Sequence, residues 1–286
     1  MASWVSITPP FTRDGRLVFS AIIGRIAYVL DNGSFPAGTG MDFYTYNIMT
    51  DTWTDKTAPG VYTFWQNPGT LVRIGTTKLV AICDAEVSTF GWDGGIRLAF
   101  YDIATDAWTY SSAHPWNPGP YTGAHIFSVA VQDSDTLWCF LIDDQSPGNE
   151  TMKCFRYVIS TDTWTMFAGY SHPINYPNSY WPGQSGYSNG YVYVGSVYTG
   201  SVWRYNIAGN VLDIVVSPGA GYGYIMAGSG PDGYIAFMDL DIPWYPTWIG
   251  YLNITSAPTL SYIAQKLPAP PGPLDAYEMV SSDETM

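Results

Sequence analysis

The chain has 286 residues, enough for one large all-β domain, and its 47% apolar content excludes a disordered chain. Twenty-four acidic against 11 basic side chains give a net charge of −13, which repels phosphate and argues against nucleic-acid binding. No apolar run is long enough for a membrane span, so the sequence predicts no membrane insertion. A bound cation, a basic partner or a neutral ligand such as a glycan fits this composition better.

A repeated segment runs through the chain with a period typical of propeller blades. Its clear copies read FYTYNIMTDTWT at 43–54, LAFYDIATDAWT at 98–109 and CFRYVISTDTWT at 154–165. Weaker copies read VWRYNIAGNVLD at 202–213 and WIGYLNITSAPTL at 248–260. The aligned tyrosines are Tyr46, Tyr101, Tyr157, Tyr205 and Tyr251. Each copy predicts a hairpin in which an apolar strand, a short polar turn and a return strand follow one another.

Two more apolar strands are predicted before each hairpin, which makes four strands per repeat. The nearer strands cover 24–30, 77–83, 135–141, 189–195 and 232–238, and the earlier ones cover 17–23, 70–74, 126–131, 182–188 and 222–228. A lone four-stranded unit cannot bury both of its faces, so the units must stack around an axis. The sequence therefore predicts an all-β fold, a single β-propeller of about five four-stranded blades. Six blades are the alternative if the termini form a further blade.

The hairpin repeat resembles that of the kelch family. The resemblance rests on the element Y-[DN]-x-x-x-[DN]-x-W at Tyr46, Tyr101 and, less completely, Tyr157, where Val158 replaces the polar residue. It covers about residues 17–265 and implies kelch-like blades. The chain departs from the family because the Gly-Gly pair that normally ends the second strand is absent.

Three regions are predicted along the chain. Residues 1–15 form an N-terminal strand or arm, residues 16–268 form the kelch-like propeller, and residues 269–286 form a C-terminal extension rich in proline and acidic residues. The terminal arms are candidates for contacts between copies in a homo-oligomer.

The long loops are expected on one face of the propeller. In a four-stranded blade, the loops from the second to the third strand share a face with those leading to the next blade. Aromatic rings there can stack on sugars or anchor a protein partner. The predicted ligand-binding residues are Trp65, Trp92, Trp116, Tyr180, Trp181 and Trp244, together with Asp84 and Asp143. The alternative is that these rings fill the gaps between blades.

Aspartates follow the second strands of four blades, at Asp31, Asp84, Asp143 and Asp239. Carboxylates around the axis would suit Ca²⁺, so these four are the candidate metal ligands. The alternative is that each aspartate accepts hydrogen bonds from the backbone of its own loop, and that no cofactor is bound.

No catalytic motif is recognisable in the sequence. Only three histidines occur, and neither a G-x-S-x-G elbow nor a phosphate-binding glycine loop is present. We therefore expect a non-enzymatic binding or structural propeller that contacts a glycan or a neighbouring structural protein. The low charge and the Tyr, Trp and Gly richness resemble virion surface or phage tail-associated proteins, which implies a virion or extracellular location, with a cytoplasmic one as the alternative. Two other functions remain open: a glycosidase-like carbohydrate-active enzyme using the loop-face aspartates, and an intracellular kelch-type interaction scaffold.

Overall fold

A computed structural model describes twelve stretches of the chain: residues 18–31, 42–59, 71–84, 96–112, 124–143, 151–167, 185–195, 202–216, 224–225, 234–241, 245–255 and 261–266. These stretches contain only β-strands and the turns between them. They hold no helix of the length and apolar character that a bilayer crossing requires.

The strands form five antiparallel sheets, each built from four consecutive strands. The first blade contains β1 (Val18–Ile23), β2 (Ile26–Asp31), β3 (Asp42–Asn47) and β4 (Thr52–Lys56). The second contains β5 (Leu71–Ile74), β6 (Lys78–Asp84), β7 (Ile96–Asp102) and β8 (Ala107–Tyr110). The third contains β9 (Ala124–Val131), β10 (Thr136–Asp143), β11 (Thr151–Val158) and β12 (Thr163–Met166).

The fourth blade contains β13 (Ser185–Ser188), β14 (Tyr191–Gly195), β15 (Val202–Asn206) and β16 (Val211–Val216). The fifth contains β17 (Tyr224–Ile225), β18 (Tyr234–Asp241), β19 (Tyr245–Asn253) and β20 (Ser261–Lys266). The predicted fold class, an all-β propeller of five four-stranded blades, is confirmed.

In the first four blades the first strand lies innermost. Contacts run in series from β1 to β5, from β5 to β9 and from β9 to β13. Among the described residues, apolar side chains fill the junctions between the first four blades, so the second and third sheets are buried on both faces as the stacking argument requires. At the first junction Phe43 and Tyr101 are both fully buried and meet edge to face, with ring centroids 4.7 Å apart.

The repeat tyrosine is hydrogen-bonded to the polar residue five positions later. Its hydroxyl donates to a carboxylate or amide oxygen at 2.6–2.8 Å. The four pairs are Tyr46 with Asp51, Tyr101 with Asp106, Tyr157 with Asp162 and Tyr205 with Asn210. All four acceptors have φ between 47° and 52°, a left-handed conformation that aspartate and asparagine adopt more readily than other non-glycine residues. The same aspartate or asparagine thus serves both the turn and the hydrogen bond.

The turn that follows the repeat tyrosine also forms hydrogen bonds to the preceding blade. Between the second and third blades, the Ser112 N–H donates to both carboxylate oxygens of Asp162, at 2.8 and 3.0 Å. The Trp164 indole donates to the Ser112 carbonyl at 3.3 Å. We call this pair of contacts, made by the turn aspartate and the following tryptophan, the blade latch.

A second latch joins the first and second blades. The Trp108 indole donates to the Thr57 carbonyl at 2.7 Å, and the Lys56 ammonium lies 3.6 Å from an Asp106 carboxylate oxygen. The repeat thus encodes contacts between blades as well as the turn within one blade.

The latch hydrogen bonds shift the acidities of the groups involved. The hydrogen bond from Tyr101 is the largest influence on Asp106 and lowers its pKa, and nearby Lys56 adds to this. Burial acts to raise the pKa of Asp162, but the hydrogen bonds from Tyr157 and Ser112 outweigh it and lower that pKa. Burial, followed by the bond to Asp162, raises the pKa of Tyr157.

Replacing Tyr157 by phenylalanine tests the tyrosine bond. Tyr157→Phe keeps the buried ring but removes the hydroxyl that donates to Asp162 at 2.6 Å. We expect the free energy of unfolding to fall by about 1–3 kcal/mol, as for other hydrogen bonds to charged groups. Denaturant titration measures this. Tyr187→Phe, on β13, is the matched control because it removes a hydroxyl outside the repeat turns, and an equal loss in both variants would contradict the role assigned to the bond.

Because two aspartates, Asp106 and Asp162, take part in the latches, we expect the protein to lose stability in acid. Because the folded state lowers the pKa of Asp106 and of Asp162, their contribution is present above the ordinary aspartate pKa near 4 and disappears as the pH falls through the lowered values. Asp162→Asn keeps an acceptor for Tyr157, as Asn210 does for Tyr205 in the fourth blade. We expect a smaller loss of unfolding free energy in this variant between about pH 6 and about pH 2. If the unfolding free energy depends on pH in the same way in the wild type and in Asp162→Asn, the assignment is refuted.

Candidate functional site

The second strands of the first three blades all end on an aspartate. Asp31 ends β2, Asp84 ends β6 and Asp143 ends β10. The pairing register sets each opposite the first residue of the third strand, at Asp42, Ile96 and Thr151 respectively. The three aspartates therefore lie at one edge of their sheets, where loops to the third strands begin.

This edge also holds the start of the inner strands. Asp31 pairs with Val18, the first residue of β1, and Asp143 pairs with Ala124, the first residue of β9. Since β1 and β9 belong to the innermost layer, the aspartates stand one strand outward from the axis. We call this the strand-end face, defined by Asp31, Asp84 and Asp143.

The fourth and fifth blades depart from this arrangement. The second strand of the fourth blade ends on Gly195, and that of the fifth blade ends on Asp241, two residues beyond the predicted Asp239. Asp239 lies within β18 opposite Trp248, just before an irregularity in the register, whereas Asp241 pairs with Tyr245, the first residue of β19. Sequence reasoning missed Asp241 as the strand-end residue because it assumed equal strand lengths in all blades.

The strand-end aspartates do not occupy equivalent register positions. In each second strand one residue pairs with the repeat tyrosine, and this residue is Ala27 in the first blade and Leu79 in the second. Asp31 is the fourth residue after Ala27, and Asp84 is the fifth residue after Leu79. Asp143 is the sixth residue after Leu137. Register positions alternate between the two faces of a sheet, so Asp84 differs in this respect from the other two. The backbone thus provides two kinds of carboxylate position at this edge rather than a symmetric ring.

The predicted calcium site consists of aspartates whose side chains lie outside what the structure describes. The structure describes the backbone of Asp31, Asp84, Asp143 and Asp239 but not their side chains. Among the side chains it does describe, no three His, Cys, Asp or Glu residues come together as metal ligands. The metal role of the four aspartates stays a prediction.

The predicted aromatic contacts also lie outside the described residues, at Trp65, Trp92, Trp116, Tyr180, Trp181 and Trp244. Their role in ligand binding stays a prediction. The described aromatic residues of the repeat, such as Tyr101 and Trp108, pack within and between blades instead.

Two buried cysteines lie in the third blade. Cys139 and Cys154 are at most 1% exposed, and burial raises the pKa of both thiols well above the ordinary value. A thiol held protonated in this way is a poor nucleophile. The two cysteines act as small core residues.

Comparison with known proteins supports the fold. No protein-family model and no curated protein matches this chain. Among solved structures it is similar to YjhT, with 15% identity and a TM-score of 0.58 over 91% of this chain and 87% of that one. The chain has a β-propeller fold.

Two further similarities are more distant. A chain of the nidogen/laminin complex shares 8% identity at a TM-score of 0.50, over 83% of this propeller and 76% of that chain. Oligogalacturonate lyase in complex with manganese shares 13% identity at a TM-score of 0.48, over 89% and 68%. At these identities the likeness shows the fold alone.

The comparisons correct the expected function. We predicted a non-enzymatic binding or structural propeller of a virion surface or phage tail, and the comparisons contradict this prediction. The carbohydrate-active alternative agrees better with them. The expected extracellular location, the glycan or protein partner and the contacts through the terminal arms stay predictions. The activity itself has to be argued from this chain's own residues.

Proposed function

We propose that this propeller is a carbohydrate-active enzyme of the glycosidase type, with its active site on the strand-end face. One observation carries the proposal: Asp31, Asp84 and Asp143 end the second strands of three successive blades at the same edge. Loops on a rigid scaffold are the usual place for catalytic groups, and this edge is where such loops start.

The chemistry of glycoside hydrolysis needs two carboxyl groups with different roles. One protonates the leaving oxygen, and the other acts as a base or as a nucleophile. Asp84 and Asp143 lie on adjacent blades and at different register positions, which supports unequal surroundings for the two groups. Unequal surroundings are what separates the pKa values of an acid and a base.

The charge of the chain points to the substrate class. With a net charge of −13 and aspartates at the proposed site, a polyanionic substrate such as a uronate polymer would be repelled. We therefore infer that the substrate is a neutral or amino-sugar glycan. The loop aromatics, Trp92 and Trp181 among them, would provide stacking surfaces for its sugar rings. We also infer that the blades are kelch-like, as the repeated Tyr-Asp-Trp pattern suggests.

Substitution of the two aspartates tests the catalytic assignment. We expect Asp84→Asn and Asp143→Asn each to lower kcat by about 10²–10⁴-fold, because an amide cannot exchange the proton, while the unfolding midpoint stays within a few degrees. Asp55→Asn, on the outer strand β4, is the control and should leave kcat unchanged. Turnover that survives in both strand-end variants would contradict the assignment.

A substrate panel tests the inferred substrate class. The purified protein is offered neutral, amino-sugar and uronate oligosaccharides, with Ca²⁺ and with a chelator, and release of new sugar ends is measured. We expect cleavage of neutral or amino-sugar substrates only. Cleavage restricted to uronates would refute the charge argument, and no cleavage of any substrate would refute the enzyme proposal. Activity lost in chelator would support the predicted metal site.

A further inference from the structure

Two buried serines occupy the inner strands of neighbouring blades. Ser128 lies on β9 in the third blade and is fully buried, and Ser185 lies on β13 in the fourth blade and is 4% exposed. The two strands contact each other in the innermost layer of the propeller. The sequence pattern alone did not distinguish either serine from other strand residues.

Ser128 lies on the face of the third blade that packs against the fourth. It pairs with Phe140 and is two residues from Ala130, and both of these neighbours belong to the apolar cluster that joins the two blades. Since residues two apart on a strand share a face, Ser128 belongs to the same junction.

Ser185 lies on the facing surface of the fourth blade. It pairs with Val194 and is two residues from Tyr187, and these residues belong to or pack against the same apolar cluster. The two serines therefore lie on opposite walls of one junction, at its inner edge.

Within the part of the chain that the structure describes, neither hydroxyl has a hydrogen-bond partner. A buried hydroxyl without a partner is unfavourable by about 1–3 kcal/mol, and native proteins satisfy nearly all such groups. Two on facing walls of a single junction therefore call for a shared explanation. Ser111, which is equally buried, shows the usual arrangement, because it accepts from the Leu98 N–H and donates to the Ser112 carbonyl.

We propose that Ser128 and Ser185 form a binding site for an internal water molecule that bridges the third and fourth blades. Two hydroxyls supply both donors and acceptors, which meets the requirement of a buried water for two or more polar partners. Phe140, Val194 and the buried ring of Tyr205 are apolar groups of the same junction. The two serines therefore offer polar partners to a water among apolar neighbours, and the water adds a polar link to apolar packing.

Four proteins test this proposal: the wild type, Ser128→Ala, Ser185→Ala and the double variant. A bridging water loses one anchor in each single variant and leaves in the double variant. We therefore expect each single change to lower the unfolding midpoint by roughly 2–4 °C, and the double change to lower it by less than the sum. Ser111→Ala is the control for removal of a buried hydroxyl with protein partners.

The opposite result has a distinct signature. If the junction is dry, each alanine removes an unsatisfied hydroxyl, so either single variant would raise the midpoint and the two effects would add. That outcome overturns the proposal. A high-resolution crystal structure gives the second readout: a solvent peak within hydrogen-bond distance of both serine oxygens supports it, and the absence of a peak, or a direct bond between the hydroxyls, refutes it.

Discussion

The hydrogen bond from the repeat tyrosine to the polar residue five positions later organises this propeller. It holds the turn residue in its left-handed conformation, and that conformation directs the Asp162 carboxylate and the Trp164 indole to the end of the preceding blade. A single blade cannot bury both of its faces, so closure depends on such contacts between blades. Apolar packing at the junctions stabilises the same arrangement.

The two edges of the blades have different properties as a result. The edge with the tyrosine turns repeats closely in the first four blades, and in the second and third blades a change there disturbs both a hydrogen bond within the blade and a latch to the preceding one. The strand-end face varies from blade to blade, as the positions of Asp31, Asp84 and Asp143 relative to the repeat show. Residues at a variable edge can take on catalytic roles while the rest of the scaffold stays constant. We therefore propose the active site at the strand-end face.

Much of the fold was predictable from the sequence, and much of the site was not. The tyrosine and tryptophan pattern predicted five hairpins and the strands before them, because burial and turn chemistry act over a few residues. The second strand of the fifth blade was predicted to end just before Asp239, whereas it ends at Asp241, since strand length depends on pairing with neighbours. The functional expectation failed for a related reason: composition describes the whole surface, whereas activity depends on a few groups that come together in space.

The sequence by itself determined the all-β class and the residues that close the turns, and it indicated about five blades, because local spacing encodes these features. Only the tertiary structure decided which residues meet across blades. It set Ser128 and Ser185 on facing walls of one junction, and it separated the strand-end aspartates into two kinds of register position. Such relations depend on how one sheet stacks on the next, and no spacing within a single blade records that geometry.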